Sequence, residues 1–86
     1  MVRRANLEVH LDRNRASSNW RRAFAAKLDM TMKRAKLSAF AVASSVGVTE
    51  RDVVLWRAGA SAPESLGECE RLSAALRVDL DWLCAV

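Results

Sequence analysis

The chain has 86 residues, 51% of them hydrophobic and 28% charged, with a formal net charge of +4. That length makes one small domain, and that apolar content argues against intrinsic disorder. No apolar run nears the roughly 20 residues that cross a bilayer, and no hydrophobic stretch follows Arg3-Arg4, so neither a membrane span nor a secretory leader is expected.

In residues 1–18, Leu7, Val9 and Leu11 alternate with Glu8, His10 and Asp12, a strand-like pattern. A single strand has no partner within the chain, so this segment is either a flexible arm or a strand that pairs in a dimer. A loosely held basic arm is the expectation. Ser17-Ser18-Asn19 marks a helix start, and Trp20 to about Lys36 reads as helix, rich in Ala, Lys, Arg and Met. Phe24, Leu28, Thr31 and Ala35 trace its inward face, and Trp20 packs at its first turn. Ser38 caps a second short helix, Ala39 to Ser45, which ends at Gly47. Thr49 opens a third, Glu50 to Ala58, with Asp52 at the third position completing a capping box, and Gly59 stops it. Ala60-Ser61-Ala62-Pro63 is a loop, with Pro63 placed in the first turn of a fourth helix. Leu66, Cys69, Leu72, Ser73 and Leu76 form that helix's inward face. Asp79 begins a last short helix carrying Leu80, Trp82 and Leu83. The expected fold class is all-α: a compact five-helix domain over 19–86 behind an arm at 1–18.

The inventory offers no catalytic site. There is no Tyr and one His, His10, with no nucleophile constellation around it. Asp79 and Asp81 sit at a helix start, where acids complement the macrodipole. Three glycines do not make a phosphate-cradling loop. Cys69 and Cys84 lack metal-ligand spacing and fall among apolar residues, which reads as buried free thiols in a reducing, cytoplasmic compartment. No cofactor, no metal and no enzyme activity is expected.

Charge is unevenly placed. Residues 1–38 hold ten Lys and Arg against three acids, a surplus of seven, whereas residues 39–86 hold four against seven, a deficit of three. A basic half suggests a polyanionic partner, most often nucleic acid.

The most informative stretch is 39–58, AFAVASSVGVTERDVVLWRA. Two short helices joined by a tight turn pack steeply and demand particular sizes at fixed offsets. Ala43 is small at the close approach, Gly47 suits a turn with positive φ, and Val53 fills the core among Val42, Val46, Val48 and Trp56. On these residues the chain resembles the Cro/C1-type helix-turn-helix repressor family, whose fold is lambda-repressor-like. Leu37-Ser38 is similar to that family's Leu-Ser, and Ala43, Gly47, Val48 and Thr49 to its Ala, Gly, Val and Ser/Thr. Val53, Trp56 and Gly59 fit its positions in and after the recognition helix. Residues 75–83, ALRVDLDWL, resemble its closing motif. The resemblance covers residues 20–86.

The resemblance implies a dimeric transcriptional repressor of phage, plasmid or chromosomal origin, bound to pseudo-palindromic operator DNA. Glu50, Arg51, Val54 and Leu55 are then the base-reading candidates. Arg51 leads, because a guanidinium can hold guanine O6 and N7 together. Asp52 is read as helix N-terminal charge. Arg3, Arg4, Arg13 and Arg15 of the arm, with Ser38, Thr49 and Arg57, are the expected phosphate contacts. The family's buried Arg–Glu pair is replaced by Met32 and Arg57, which is expected to free Arg57 for phosphate. Trp82, Cys84 and Val86 are the candidates for a homodimer interface. Ala39 and Phe40 stand where the family is polar. With Val54 and Leu55 they form an apolar surface that supports an alternative: a helix-turn-helix-shaped adaptor, inhibitor or antitoxin that docks on a protein.

Overall fold

A computed structural model describes residues 2–84, with side chains from Glu8 onward. Among them are six helices and no strand: α1 (Val2–Arg15), α2 (Ser18–Ala35), α3 (Ala39–Val46), α4 (Glu50–Arg57), α5 (Leu66–Leu76) and α6 (Leu80–Cys84).

The N-terminal segment departs from the expected arm or strand: it is the helix α1. Val9 and Leu11 show why the alternation misled. In a helix, two residues turn the chain by about 200°, so the two side chains point to opposite sides. Leu11 is 2% exposed and joins the core, while Val9 is 55% exposed. Leu, Arg, Glu and Asn over fourteen residues hold no helix breaker. Arg21 fixes the end of α1. Its guanidinium donates to the Arg15 carbonyl at 2.8 Å and, through Nε, to the Gly59 carbonyl at 3.2 Å. One side chain thus ties α1, α2 and the loop after α4 together.

The remaining helices close around one core. Phe24, Leu28 and Met32 of α2 meet Val42, Ala43 and Val46 of α3 and Val53 and Trp56 of α4. Leu66, Cys69, Leu72 and Leu76 of α5 and Leu83 and Cys84 of α6 complete it. Ala35, expected on the inward face of α2, is exposed, since α2 ends there and turns away. Met32 is buried in its place, one turn earlier. Trp20 stacks on Phe24 with ring centroids 5.3 Å apart, as a packing residue should.

Helix ends follow local chemistry. Ser17, Ser38, Thr49 and Ser65 each accept a backbone N–H three residues on. Pro63 is not in the first turn of α5 but buried ahead of it. The start is set by Ser65, whose hydroxyl accepts from the Glu68 N–H at 3.2 Å, while the Glu68 carboxylate accepts from the Glu64 N–H at 3.0 Å. Lys36 and Arg77 end α2 and α5 with φ of 57° and 58°. Glycine is the usual residue at such left-handed caps.

Candidate nucleic-acid interface

The unit formed by α3, its turn and α4 is assembled from short-range rules. Ser38 caps α3, its hydroxyl accepting the Ala41 N–H at 3.1 Å. Gly47 closes α3 at φ 88°, and its N–H and that of Val48 donate to the Ala43 carbonyl at 2.8 and 3.1 Å. The guanidinium of Arg71, on α5, donates to the Val46 carbonyl at 2.7 Å, so the last turn of α3 is held from a third helix. Thr49 then opens α4 through a reciprocal capping box: its hydroxyl accepts the Asp52 N–H, and the Asp52 carboxylate accepts the Thr49 N–H, both at 3.1 Å. Asp52 thus serves the helix start, as its position suggested. Thr49→Ala should cost about 1 kcal/mol, read as a lower urea midpoint with unchanged slope.

Burial of Val53 and Trp56 sets which face of α4 looks outward. Glu50, Arg51 and Val54 are exposed and Leu55 is half-buried, so the four base-reading candidates share the outer side of one two-turn helix. Phe40 at the start of α3 is 66% exposed and Val54 is 51% exposed. Ser38 and Thr49 use their hydroxyl oxygens as acceptors, which leaves each hydroxyl proton to donate elsewhere.

Arg57 is not free. Its Nε donates to Asp29 Oδ1 at 3.1 Å, and its Nη2 is paired with the same oxygen. Lys33 reaches the other Asp29 oxygen at 2.9 Å. An Arg–Asp pair between α4 and α2 therefore engages Arg57, contrary to the expectation that it is free. These hydrogen bonds, Arg57's first and then Lys33's, hold the Asp29 carboxyl below its ordinary 3.8. A depressed folded pKa contributes stability above the unfolded value and loses it as pH falls through the folded one. Asp29→Asn should therefore melt below the wild type at pH 7, with the gap closing below pH 3.8. A gap independent of pH would exclude the ion pair as its cause. With Asp29 about one-third exposed, solvent screening keeps the effect small.

The arginines assigned to the N-terminal segment divide. Arg3 and Arg4 lie on α1, their side chains outside the described residues. Arg13 is exposed. Arg15 is half-buried and lines a pocket with Asp52, Leu55, Trp56, Glu64 and Glu68. Glu8, Asp12 and Glu64 line the adjoining pocket. Asp52, Glu64 and Glu68 therefore gather around Arg15 on one flank of α4, which was not apparent from α4's own sequence.

Among the dimer candidates, Cys84 is corrected. It is 6% exposed in the chain's own core, beside Cys69. Hydrogen bonding with Cys69 and, secondarily, burial push the Cys84 thiol far up, so it stays protonated and inert. Both cysteines are free and buried. Trp82 is 39% exposed, with the Lys27 ammonium 5.4 Å from its ring centroid. The same ammonium donates to the Trp82 carbonyl at 2.8 Å, so part of that ring is already covered. Val86 lies outside the described residues.

Among the described residues no group of three or more acidic, His or Cys side chains could hold a metal ion, and no helix is long and apolar enough to cross a membrane. No family model, curated protein or solved structure matches the chain.

Proposed function

We propose that this chain is a sequence-specific DNA-binding protein of lambda-repressor-like helix-turn-helix arrangement, acting in the cytoplasm as a repressor that excludes polymerase by occupancy. The observation that carries this reading is the α3–turn–α4 unit. Two capped helices meet at Gly47, and the outer face of the second offers Glu50, Arg51, Val54 and Leu55 while its inner face is anchored by Val53 and Trp56. A helix so presented suits the major groove, where Arg51 would hold a guanine and Val54 or Leu55 a thymine methyl. One two-turn helix reads few base pairs. The active form would then be a two-fold dimer on half-sites about 34–36 Å apart, with the exposed edge of Trp82 at its interface.

With Arg57 paired and Arg15 beside carboxylates, phosphate contacts fall to Arg13, Ser38, Thr49 and the remaining basic residues of α1. Affinity should therefore be modest, with a shallow dependence on salt. A gel shift against duplex DNA from upstream of the protein's own gene tests the reading. A discrete complex that survives competitor DNA supports it, and binding that vanishes with competitor counts against it.

A second reading has its own support. Phe40 and Val54 are large, apolar and exposed on the α3–α4 unit, and Glu64 and Glu68 beside α4 would disfavour phosphates there. These features suit docking on a protein, as an adaptor, inhibitor or antitoxin. A stable protein complex lost on Phe40→Ala, without a DNA shift, would favour it.

A further inference from the structure

We infer that a pocket between the C-terminal ends of α2 and α5 binds a small organic carboxylate, its charge held between Arg34 and Arg77 and its apolar body laid on Ala35, Leu76 and Val78. The pocket has a volume of about 240 Å³ and is lined by Thr31, Arg34, Ala35, Leu76, Arg77 and Val78. Two guanidiniums and no carboxylate stand among these lining residues. The volume falls below the roughly 300–1,000 Å³ of pockets for drug-sized ligands, which points to a small acid.

Cations near helix C-termini commonly serve the local carbonyls. Here the chain's own N–H groups already cap part of those carbonyls. The Lys36 and Leu37 N–H groups donate to Lys33 and Met32, and the Arg77 and Val78 N–H groups to Ala74 and Ser73. Thr31 spends its hydroxyl proton on its own helix, toward the Lys27 and Leu28 carbonyls at 2.9 and 3.0 Å. The guanidiniums are therefore the donors the pocket has to offer. Planar guanidinium pairs match a carboxylate well.

Backbone conformation makes a substitution at Arg77 informative. Arg77 holds φ at 58°, where an L side chain is strained and glycine is not. Replacing Arg77 by glycine therefore removes the guanidinium while relieving the backbone. The site shares no lining residue with α3 or α4 and does not depend on DNA binding.

Hexanoate is a suitable probe, with hexylamine as the same tail bearing the opposite charge. In a two-dimensional amide NMR titration, hexanoate should give saturable shifts centred on Thr31, Ala35, Leu76 and Val78, and hexylamine should give none there. Arg34→Gln and Arg77→Gly should each weaken binding by about tenfold, the loss expected for one charge-assisted hydrogen bond. Arg77→Gly should meanwhile melt no lower than the wild type, because glycine relieves the cap, so its loss of binding cannot be unfolding. Absence of saturable shifts, equal shifts with hexylamine, or unchanged affinity in the double variant R34Q/R77G would overturn the assignment.

Discussion

Trp56→Ala should lower the stability of the domain by about 3–5 kcal/mol, the range for removing a buried large aromatic. Trp56 is 3% exposed and, with Val53, is one of two buried side chains on α4. An eight-residue helix does not persist alone in water, so α4 exists because these two side chains are buried against α2 and α3. Domains are stable by about 5–15 kcal/mol in total, and one of 86 residues sits toward the lower end. The variant should therefore be partly unfolded at room temperature, seen by circular dichroism as a urea midpoint moved close to zero denaturant. A midpoint within experimental error of the wild type would mean that Trp56 does not hold α4.

The elements around this residue were readable because their rules are short-range. Ser38, Gly47, the Thr49–Asp52 box and Gly59 each act on backbone within four residues, so spacing alone marked the ends of α3 and α4. The inward face of α5 was equally plain from its 3.6-residue period. The N-terminal segment failed that test. Leu7, Val9 and Leu11 satisfy a two-residue alternation, while Leu7 and Leu11 also satisfy a four-residue helical spacing, and the burial of Leu11 decides between them. The start of α5 is set not by Pro63 but by Ser65 and Glu68, which are spaced three apart like Thr49 and Asp52.

The candidate site divides along the same line. Exposure of Glu50, Arg51 and Val54 follows from the period of α4 and could be read from residues 50–57. Arg57 could not be judged that way, because its partner Asp29 is 28 residues away on another helix. The carboxylates around Arg15 come from α4, the following loop and α5, so no local stretch displays them together. By sequence Cys84 reads both as a buried thiol and as a dimer candidate, and the first reading holds. Packing of α6 on α5 buries it, which removes it from the interface candidates.

Arg51→Ala should cost about 1–3 kcal/mol at the preferred DNA site and relax one base position. Arg51 is the one cation on the outer face of α4, since Arg57 is committed to Asp29. On the proposed DNA-binding reading, its loss would remove a bidentate guanine contact and leave Glu50 as the nearest charge on that face, facing a duplex without compensation. Folding should be untouched, because the Arg51 side chain is exposed and the capping box does not use it. A change in Arg13 should behave differently, weakening all duplexes alike and reducing the salt slope by about one.

Selection from a library of randomised DNA duplexes, run in parallel with the wild type and Arg51→Ala, tests the DNA-binding reading most directly. The wild type should enrich a pseudo-palindromic motif containing a guanine at one fixed place in each half-site, and Arg51→Ala should enrich that motif with the guanine position degenerate. Failure of the wild type to enrich any motif, or enrichment of an identical motif by both proteins, would contradict it.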